Sequence, residues 1–351
     1  VRAKHRSMPN ASNRKALLAL IQEHAEAARD EERSNGVLTR EHAEDALVHE
    51  HASGAAARGV LTALGLRQRR KECDANLRGR QLRSLPPELA HAPPLSSLDL
   101  SANELPELPD ELPAPLAGLT ELRLADNLIG SAALARSALP ASLRVLDVSA
   151  NRLVALPPCV LRLDQLQVLR LSRQQLRALP PQLSLLASLV ELDAGFNQLG
   201  RALRLAPPGL PCLRALVLAA NGLETFELGE AAGLPALAQL DLSHNALRRW
   251  PAALGSLGAL RCLRLENNGL RSLVSDEVAR GRRMWVPASG VHELVGLAEL
   301  GVARNELREL PPTLADLDGL LRLDVRANPL DADALTLARR LMSRSGGRLA
   351  A

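Results

Sequence analysis

From Glu72 to Leu330, leucines fall at fixed offsets from a recurring asparagine. Leu95-Leu98-Leu100-Asn103-Leu105 is followed by LTELRLADNLI, LRVLDVSANRL, LQVLRLSRQQL, LVELDAGFNQL and LRALVLAANGL, then by LAQLDLSHNAL, LRCLRLENNGL, LAELGVARNEL and LLRLDVRANPL. With a degenerate first copy, NLRGRQL, the asparagine position falls at residues 80, 103, 127, 151, 174, 197, 221, 245, 268, 305 and 328. Steps are 23 or 24 residues, with one exception of 37. Within LxL, apolar and polar positions alternate, which places Leu98 and Leu100 on one face of a short strand. One layer is too small to bury that face alone, so layers stack and their strands form a parallel sheet. The asparagine sits where the chain leaves the strand, and its amide can satisfy backbone groups that the turn leaves unpaired. Arg80 and Gln174 replace it in two copies, which predicts looser rungs there. The return path carries LPPEL, LPPCV, LPPQL, WPAAL and LPPTL, where proline favours extended or helical-turn starts over long helices. Phe226 and Trp250 stand where other copies have the Leu of LxxLP and read as core.

Residues 1–71 lack this phrase. Leu17, Leu18, Ile21, Ala25 and Ala28 recur at helical spacing, as do Ala43, Ala46 and Leu47, and 55–66 suggests a third helix. The stretch NGVLTREHAEDAL resembles the exit of an EF-hand loop. Counting back from Gly36 places Glu31, Arg33, Asn35, Thr39 and His42 at coordinating positions, and Arg and His cannot replace carboxylates for calcium. The segment therefore reads as a helical cap on the first repeat, with a degenerate EF-hand or an organellar transit peptide as alternatives. After Leu330, DADALTLARRLMSRSGG reads as a closing helix that Asp331 or Asp333 could cap.

The long step marks an insertion at about 274–291. Asp276 and Glu277 precede a helix-prone run, Arg280, Arg282 and Arg283 follow near its end, and Pro-Ala-Ser-Gly is turn chemistry. Either Arg282, Arg283 and Trp285 contact a partner, or Trp285 folds back over leucines that the skipped layer exposes.

Composition sharpens this picture. Tyr is absent from the 351 residues, and Phe196, Phe226, Trp250 and Trp285 are the only aromatics, so the chain packs with leucine in small layers. A net charge of +4, from 43 basic and 39 acidic residues, gives no continuous basic stripe for nucleic acid. Cys73, Cys159, Cys212 and Cys262 lie far apart without a CxxC pair, which points to a reducing, cytoplasmic compartment. No apolar run reaches the roughly 20 residues of a membrane span.

The phrase identifies the region as similar to leucine-rich repeat proteins. The 23 to 24 spacing with LPxxL resembles the intracellular class that includes Ras-associated scaffolds. Leu66 to Pro86, LRQRRKECDANLRGRQLRSLP, is similar to the entry segment of the relatives of leucine-rich repeat-containing protein 40. Cys73 and Ala75 here replace the Gly and Leu of their pattern. The resemblance implies an α/β solenoid: a curved horseshoe of about eleven repeats with a parallel concave sheet, following an α-helical N-terminal segment. The expected organisation is 1–71 as the cap, 72–330 as the solenoid and 331–351 as the C-terminal capping helix and tail.

In such a fold, residues between the strand leucines point to the concave side. Asn76, Asp99, Arg123, Asp147, Arg170, Asp193, Val217, Asp241, Arg264, Gly301 and Asp324 take one position in successive strands. From Asp99 to Asp193 the sign alternates, so the row is either a recognition stripe or a self-satisfied ladder of exposed pairs, each contributing about 0–1 kcal/mol. Ala215, Val217 and Ala219 form an apolar rung between charged blocks, with Phe196 at its rim, and could anchor a partner.

No nucleophile–base set, metal pattern or phosphate loop appears; Ser243 and His244 adjoin without a third member. Neither a cofactor nor a metal is expected. The expected function is non-catalytic: an intracellular signalling scaffold or adaptor, monomeric, binding protein partners on the concave face, at the insertion, or both. The alternatives are the substrate-recognition portion of a larger enzyme, such as a ubiquitin ligase, and an anionic-ligand sensor using Arg123, Arg170 and Arg264.

Overall fold

The computed structural model describes residues 67–69, 72–205, 209–228, 233–274 and 290–351. Two compact units divide at Val145/Leu146. In the first, β1 (Arg67–Arg69) pairs antiparallel with β2 (Glu72–Asn76), and β2, β3 (Leu95–Asp99) and β4 (Glu121–Arg123) run parallel. The boundary falls in β5 (Val145–Asp147). The second unit carries β6 (Val168–Arg170), β7 (Glu191–Asp193), β8 (Ala202–Leu205), β9 (Ala215–Val217), β10 (Thr225–Leu228), β11 (Gln239–Asp241), β12 (Cys262–Arg264), β13 (Glu299–Gly301), β14 (Arg322–Asp324) and β15 (Arg348–Ala350). Here β6, β7, β9 and β11 to β15 make one parallel succession in register: Leu169, Leu192, Leu216, Leu240, Leu263, Leu300 and Leu323 stand side by side. These leucines are buried, and so is the next apolar pair along the strand exits before the last repeat, such as Leu171 and Leu176. The architecture is a leucine-rich repeat solenoid: stacked layers, each contributing one short strand.

Asparagine side chains lock each layer to its neighbour. Asn221 is 4% exposed. Its Nδ2 donates to the carbonyls of Ala194 and Leu218 at 3.0 Å, and its Oδ1 accepts from the Leu199 amide at 3.4 Å. Asn103 repeats the arrangement in the first unit, accepting from Arg80 and Leu82 and donating to Leu77 and Leu100. The looser rung expected at Gln174 is found only within its own repeat. Its amide is buried, Oε1 accepts from Leu153 at 2.8 Å, and Nε2 donates to Val148, so both bonds to the preceding repeat survive, and what the longer side chain gives up is the asparagine's second donation, to the carbonyl of its own strand. At Arg80, by contrast, the buried Nε has no partner among the described residues.

Just before each asparagine position the backbone turns left-handed. Ala102, Asp126, Ala150, Arg173, Phe196, Ala220, His244, Asn267, Arg304 and Ala327 all have φ between 50° and 58°, and Gly79 takes the equivalent place in the first copy. A non-glycine residue there costs about 1–2 kcal/mol. The asparagine bonds on either side of the turn hold it in place.

The return path is less uniform. Proline starts 3-10 turns at Pro87–His91, Pro181–Leu185 and Pro312–Asp316, and similar turns occupy Ala252–Ser256 and Val291–Glu293. Helix α1 (Ser131–Arg136) replaces one turn. In two successive repeats the return path becomes strand: β8 and β10 pair in parallel as a separate two-stranded sheet, with Phe226 in register with Leu203. Beyond them, Gly209 (φ 82°) meets Gly233 so closely that a Cβ would lie 2.4 Å from the Gly233 carbonyl oxygen. Phe226 and Trp250 are both buried.

The insertion leaves the sheet intact. Its flanks Val274 and Gly290 form an antiparallel bridge, and the Val291 amide donates to Leu273. Strands β12 and β13 pair across it, and Asn305 donates to Leu265 forty residues earlier. It therefore leaves and rejoins the return path without skipping a layer. Arg282, Arg283 and Trp285 lie outside the described residues, as do the N-terminal helical pattern and the EF-hand-like stretch. At the other end, Asp331 caps α2 (Ala332–Ser345) by accepting from Ala334 at 2.7 Å, and Ala334, Ala338, Leu341 and Met342 make its buried face. The chain then adds β15 beside β14, which the sequence reading placed in a tail.

Candidate interaction surface

The solvent side of the strands is built from the last residue of each strand and the turn after it. Asp takes the strand-end position so often for a local reason. Asp99, Asp147, Asp193 and Asp241 each accept through Oδ1 from the amide two residues on, at 2.9 Å; Asp324 does the same at 3.2 Å. This is the side-chain mimicry of a turn at which Asp and Asn excel. Asn76 makes the same bond to Arg78. These carboxylates are turn-builders first.

The arginines settle accordingly. Arg123 pairs with Glu121 of its own strand, and Arg170 pairs with Glu191 of the next strand at 3.0 Å. Only Arg264 reaches a strand-end aspartate of the row across a rung, Asp241 at 4.0 Å. Register does place Asp99 beside Arg123 and Asp193 beside Arg170. The ladder of mutual charge pairs nevertheless gives way, because turn amides hold the carboxylates and glutamates one pleat earlier take the guanidiniums. Arg326 grips Asp324 through two bonds and holds its carboxyl below the usual range.

A gap in this charged lattice lies in the second unit. Val217 replaces the aspartate and is half-buried, with Ala215 beside it and Ala219 buried beneath the turn. A Cβ at Gly195 would touch Val217 Cγ1 and the Ala219 carbonyl oxygen at 3.4 Å, so the neighbouring repeat gives this patch a close floor. At its rim Phe196 is 53% exposed, held left-handed, and covered on one side by the Arg173 guanidinium 5.3 Å from the ring centre. Such a contact contributes about 0.5–1 kcal/mol at an exposed site and favours a ring position whose other face water can reach. Arg173, Glu121 and Glu191 belong to the surface but escaped the sequence reading. The missing signal was the left-handed turn, which aligns Arg173 with Phe196.

Toward the C-terminal end, Glu266 lies over Gly301, whose missing side chain leaves room for it. Burial raises the Glu266 carboxyl above the usual glutamate range; Asp241 and Asp324 add to the rise, and Arg264 opposes it. Burial likewise raises the Cys159 and Cys262 thiols. None of the four cysteines is in a disulfide. No group of three or more metal-ligating side chains is assembled among the described residues. No helix among them is long and apolar enough to cross a membrane.

Geometry alone thus defines a class: a repeat solenoid that presents an ordered, chemically mixed strand face. Comparison agrees. The leucine rich repeat family model matches residues 211–270. Rabbit (Oryctolagus cuniculus) fibromodulin is 37% identical over 144 residues, which cover 41% of this chain and 88% of that one. Mouse (Mus musculus) leucine-rich repeat serine/threonine-protein kinase 1 is 30% identical over 239 residues, 67% of this chain; the chain spans 10% of that protein's length. A solved leucine-rich repeat protein of Leptospira interrogans shares the fold with a TM-score of 0.50 at 24% identity, covering 78% of this chain and 82% of that one. The chain belongs to the leucine-rich repeat family.

Proposed function

We propose that the chain is a non-catalytic protein-interaction module whose partner docks on the strand face of the Leu146–Ala351 unit, centred on Phe196 and Val217. The observation that carries this reading is an exposed aromatic, covered on one side by Arg173, at the rim of the apolar break. Pre-ordered aromatic and arginine side chains beside a small apolar floor are what interface hot spots are made of. Asp193, Asp241, Arg170 and Arg264 frame the patch as its polar rim. In this reading the molecule works as a monomeric scaffold or adaptor in intracellular signalling, of the kind that the Ras-associated class exemplifies. The compartment rests on the thiols: four cysteines outside any disulfide, one of them exposed, suit a reducing cytoplasm.

The test is capture of partners from cytosol by the intact chain, by Phe196→Ala, by Val217→Asp, and by a chain lacking Gly281 to Gly290. Loss of a partner with both point variants, while melting temperatures hold, places recognition on the strand face. Loss with the deletion alone moves it to the insertion. Retention by all three variants overturns the reading.

A second reading makes the chain the recognition portion of a larger enzyme. The likeness to a kinase of which it spans one tenth favours this. A catalytic domain in the same reading frame would select it. An anionic-ligand role for Arg123, Arg170 and Arg264 has less support, because Glu121 and Glu191 already occupy the first two.

A further inference from the structure

The chain leaving the strands carries a second regularity, three residues beyond the asparagine position. Arg83, Arg177, Arg248, Arg271 and Arg308 all stand there. What each arginine meets is set by the next repeat, one residue beyond its asparagine position. Where that residue is glutamate, it takes the arginine: Arg83 pairs with Glu104 at 2.8 Å, and Arg271 with Glu306 at 2.9 Å. The counterparts for Arg177, Arg248 and Arg308 are Gln198, Gly269 and Pro329. The Arg248 side chain runs over Gly269, where a Cβ would lie 3.6 Å from its Cγ. Asp331, the next acid beyond Pro329, is occupied in capping α2. Arg177, Arg248 and Arg308 are therefore exposed and have no ion pair among the described residues.

Repeat register brings these residues into one row. The spacing of the strands persists past the turns, because the amides of Gln198, Gly269 and Glu306 still donate to Leu176, Leu247 and Leu270 of the preceding repeats, at 2.8 to 2.9 Å. At about 4.8 Å per repeat, Arg248 lies about 14 Å from Arg177 and about 10 Å from Arg308. Arg249, also exposed and without an ion pair, follows Arg248. Glu224 is engaged by Arg201 and Glu306 by Arg271, which leaves Glu227 and Glu309 as the exposed carboxylates beside the row without an ion pair. Arginines scattered through the sequence thus become a ridge with a surplus of uncommitted positive charge.

We propose that this ridge docks an acidic segment of a protein partner, whose carboxylates stand in for the glutamates missing at Gln198, Gly269 and Pro329. The bonds formed are side chain to side chain, of the kind that Glu104 and Glu306 already make within the molecule. A nucleic acid fits poorly. Its duplex carries one charge per about 1.7 Å of axis, so cations about 10 and 14 Å apart leave most phosphates unmatched. Glu227 and Glu309 would repel some of the remainder. A protein segment can instead place each acid opposite an arginine and leave the rest neutral. The ridge includes neither Phe196 nor Val217 and is independent of the function proposed above.

The probe is a fluorescent peptide of about twelve residues, titrated by anisotropy against the full chain at low ionic strength. Its glutamates come in pairs about four and then about three residues apart, which matches the ridge at about 3.3 Å per residue. The controls are a peptide of the same composition with its glutamates contiguous, and a single-stranded oligonucleotide of equal charge. Binding of the spaced peptide should weaken at least about tenfold in Arg177→Glu/Arg248→Glu/Arg308→Glu, where ridge and guest repel. Arg214→Glu/Arg339→Glu/Arg340→Glu makes the same change in net charge away from the ridge and should leave binding nearly unchanged. Gln198→Glu/Gly269→Glu supplies internal partners for Arg177 and Arg248, and should weaken binding with every arginine in place. Melting curves should show each variant folded. Loss of binding in Phe196→Ala would move the peptide to the strand face and sink the proposal. So would failure of the spaced peptide to bind, equal loss in the two triple variants, or equal binding by either control.

Discussion

Along the strand side of the Leu146–Ala351 unit, every repeat turns through a left-handed residue with φ between 50° and 56°, and buried or half-buried side-chain amides tie successive repeats together. On the return side, the same repeats build 3-10 turns, a two-stranded sheet and an insertion. Both sides bury leucine equally well. They differ in what else must be satisfied. The strand exit buries backbone groups that a side-chain amide must pair, and few geometries allow it. The return path asks only that a leucine reach the core, and many conformations deliver one.

That contrast can be broken most sharply at Asn221. Asn221→Ala removes the three hydrogen bonds named above and strands the Leu199 amide, while the Ala194 and Leu218 carbonyls keep their bonds from Asn197 and Asn245, and should cost about 2–4 kcal/mol in urea unfolding. A return-path change of similar size, Pro181→Ala, should cost less than about 1 kcal/mol. The exception on the return side is Gly209. Gly209→Ala meets the Gly233 carbonyl and a left-handed backbone together, and should cost about 2–3 kcal/mol. In the opposite direction, Ala220→Gly relieves a left-handed alanine and should raise stability by about 1 kcal/mol.

The smallest effect depends on pH. The folded state holds the Glu266 proton more tightly than the unfolded chain does, so ionisation costs stability. That cost is absent below about pH 4 and grows as pH rises through and above the glutamate range. Glu266→Gln should therefore raise the melting temperature near pH 7 and leave it unchanged near pH 4. A shift of equal size at both pH values would assign the effect to packing.

Much of this was legible in the leucines and asparagines alone, because a strand with one buried face has only one acceptable register. All eleven strands fall where LxL places them. The left-handed turns were not legible. Glycine or asparagine announces such a conformation, yet Ala, Arg, Phe and His occupy it here, imposed by the bonds around them. The alternating charges misled for a related reason: a sequence shows an aspartate's charge but not that a turn amide already holds one of its oxygens. Strand β8 had a trace in the sequence, since GRALRLAPPGL lacks the LPP start, but an absent proline does not say what replaces the turn.

The bridge between Val274 and Gly290 has a last implication, for how the molecule can change length. Because the chain leaves and re-enters at one point, whatever lies between is a closed excursion. The layers downstream keep their register whether it is long or short. Between two fixed ends, doubling the length of a flexible connection adds only about 0.6 kcal/mol of closure entropy. The return path at this point is a natural graft site, where new sequence can be carried without rewriting the repeats on either side.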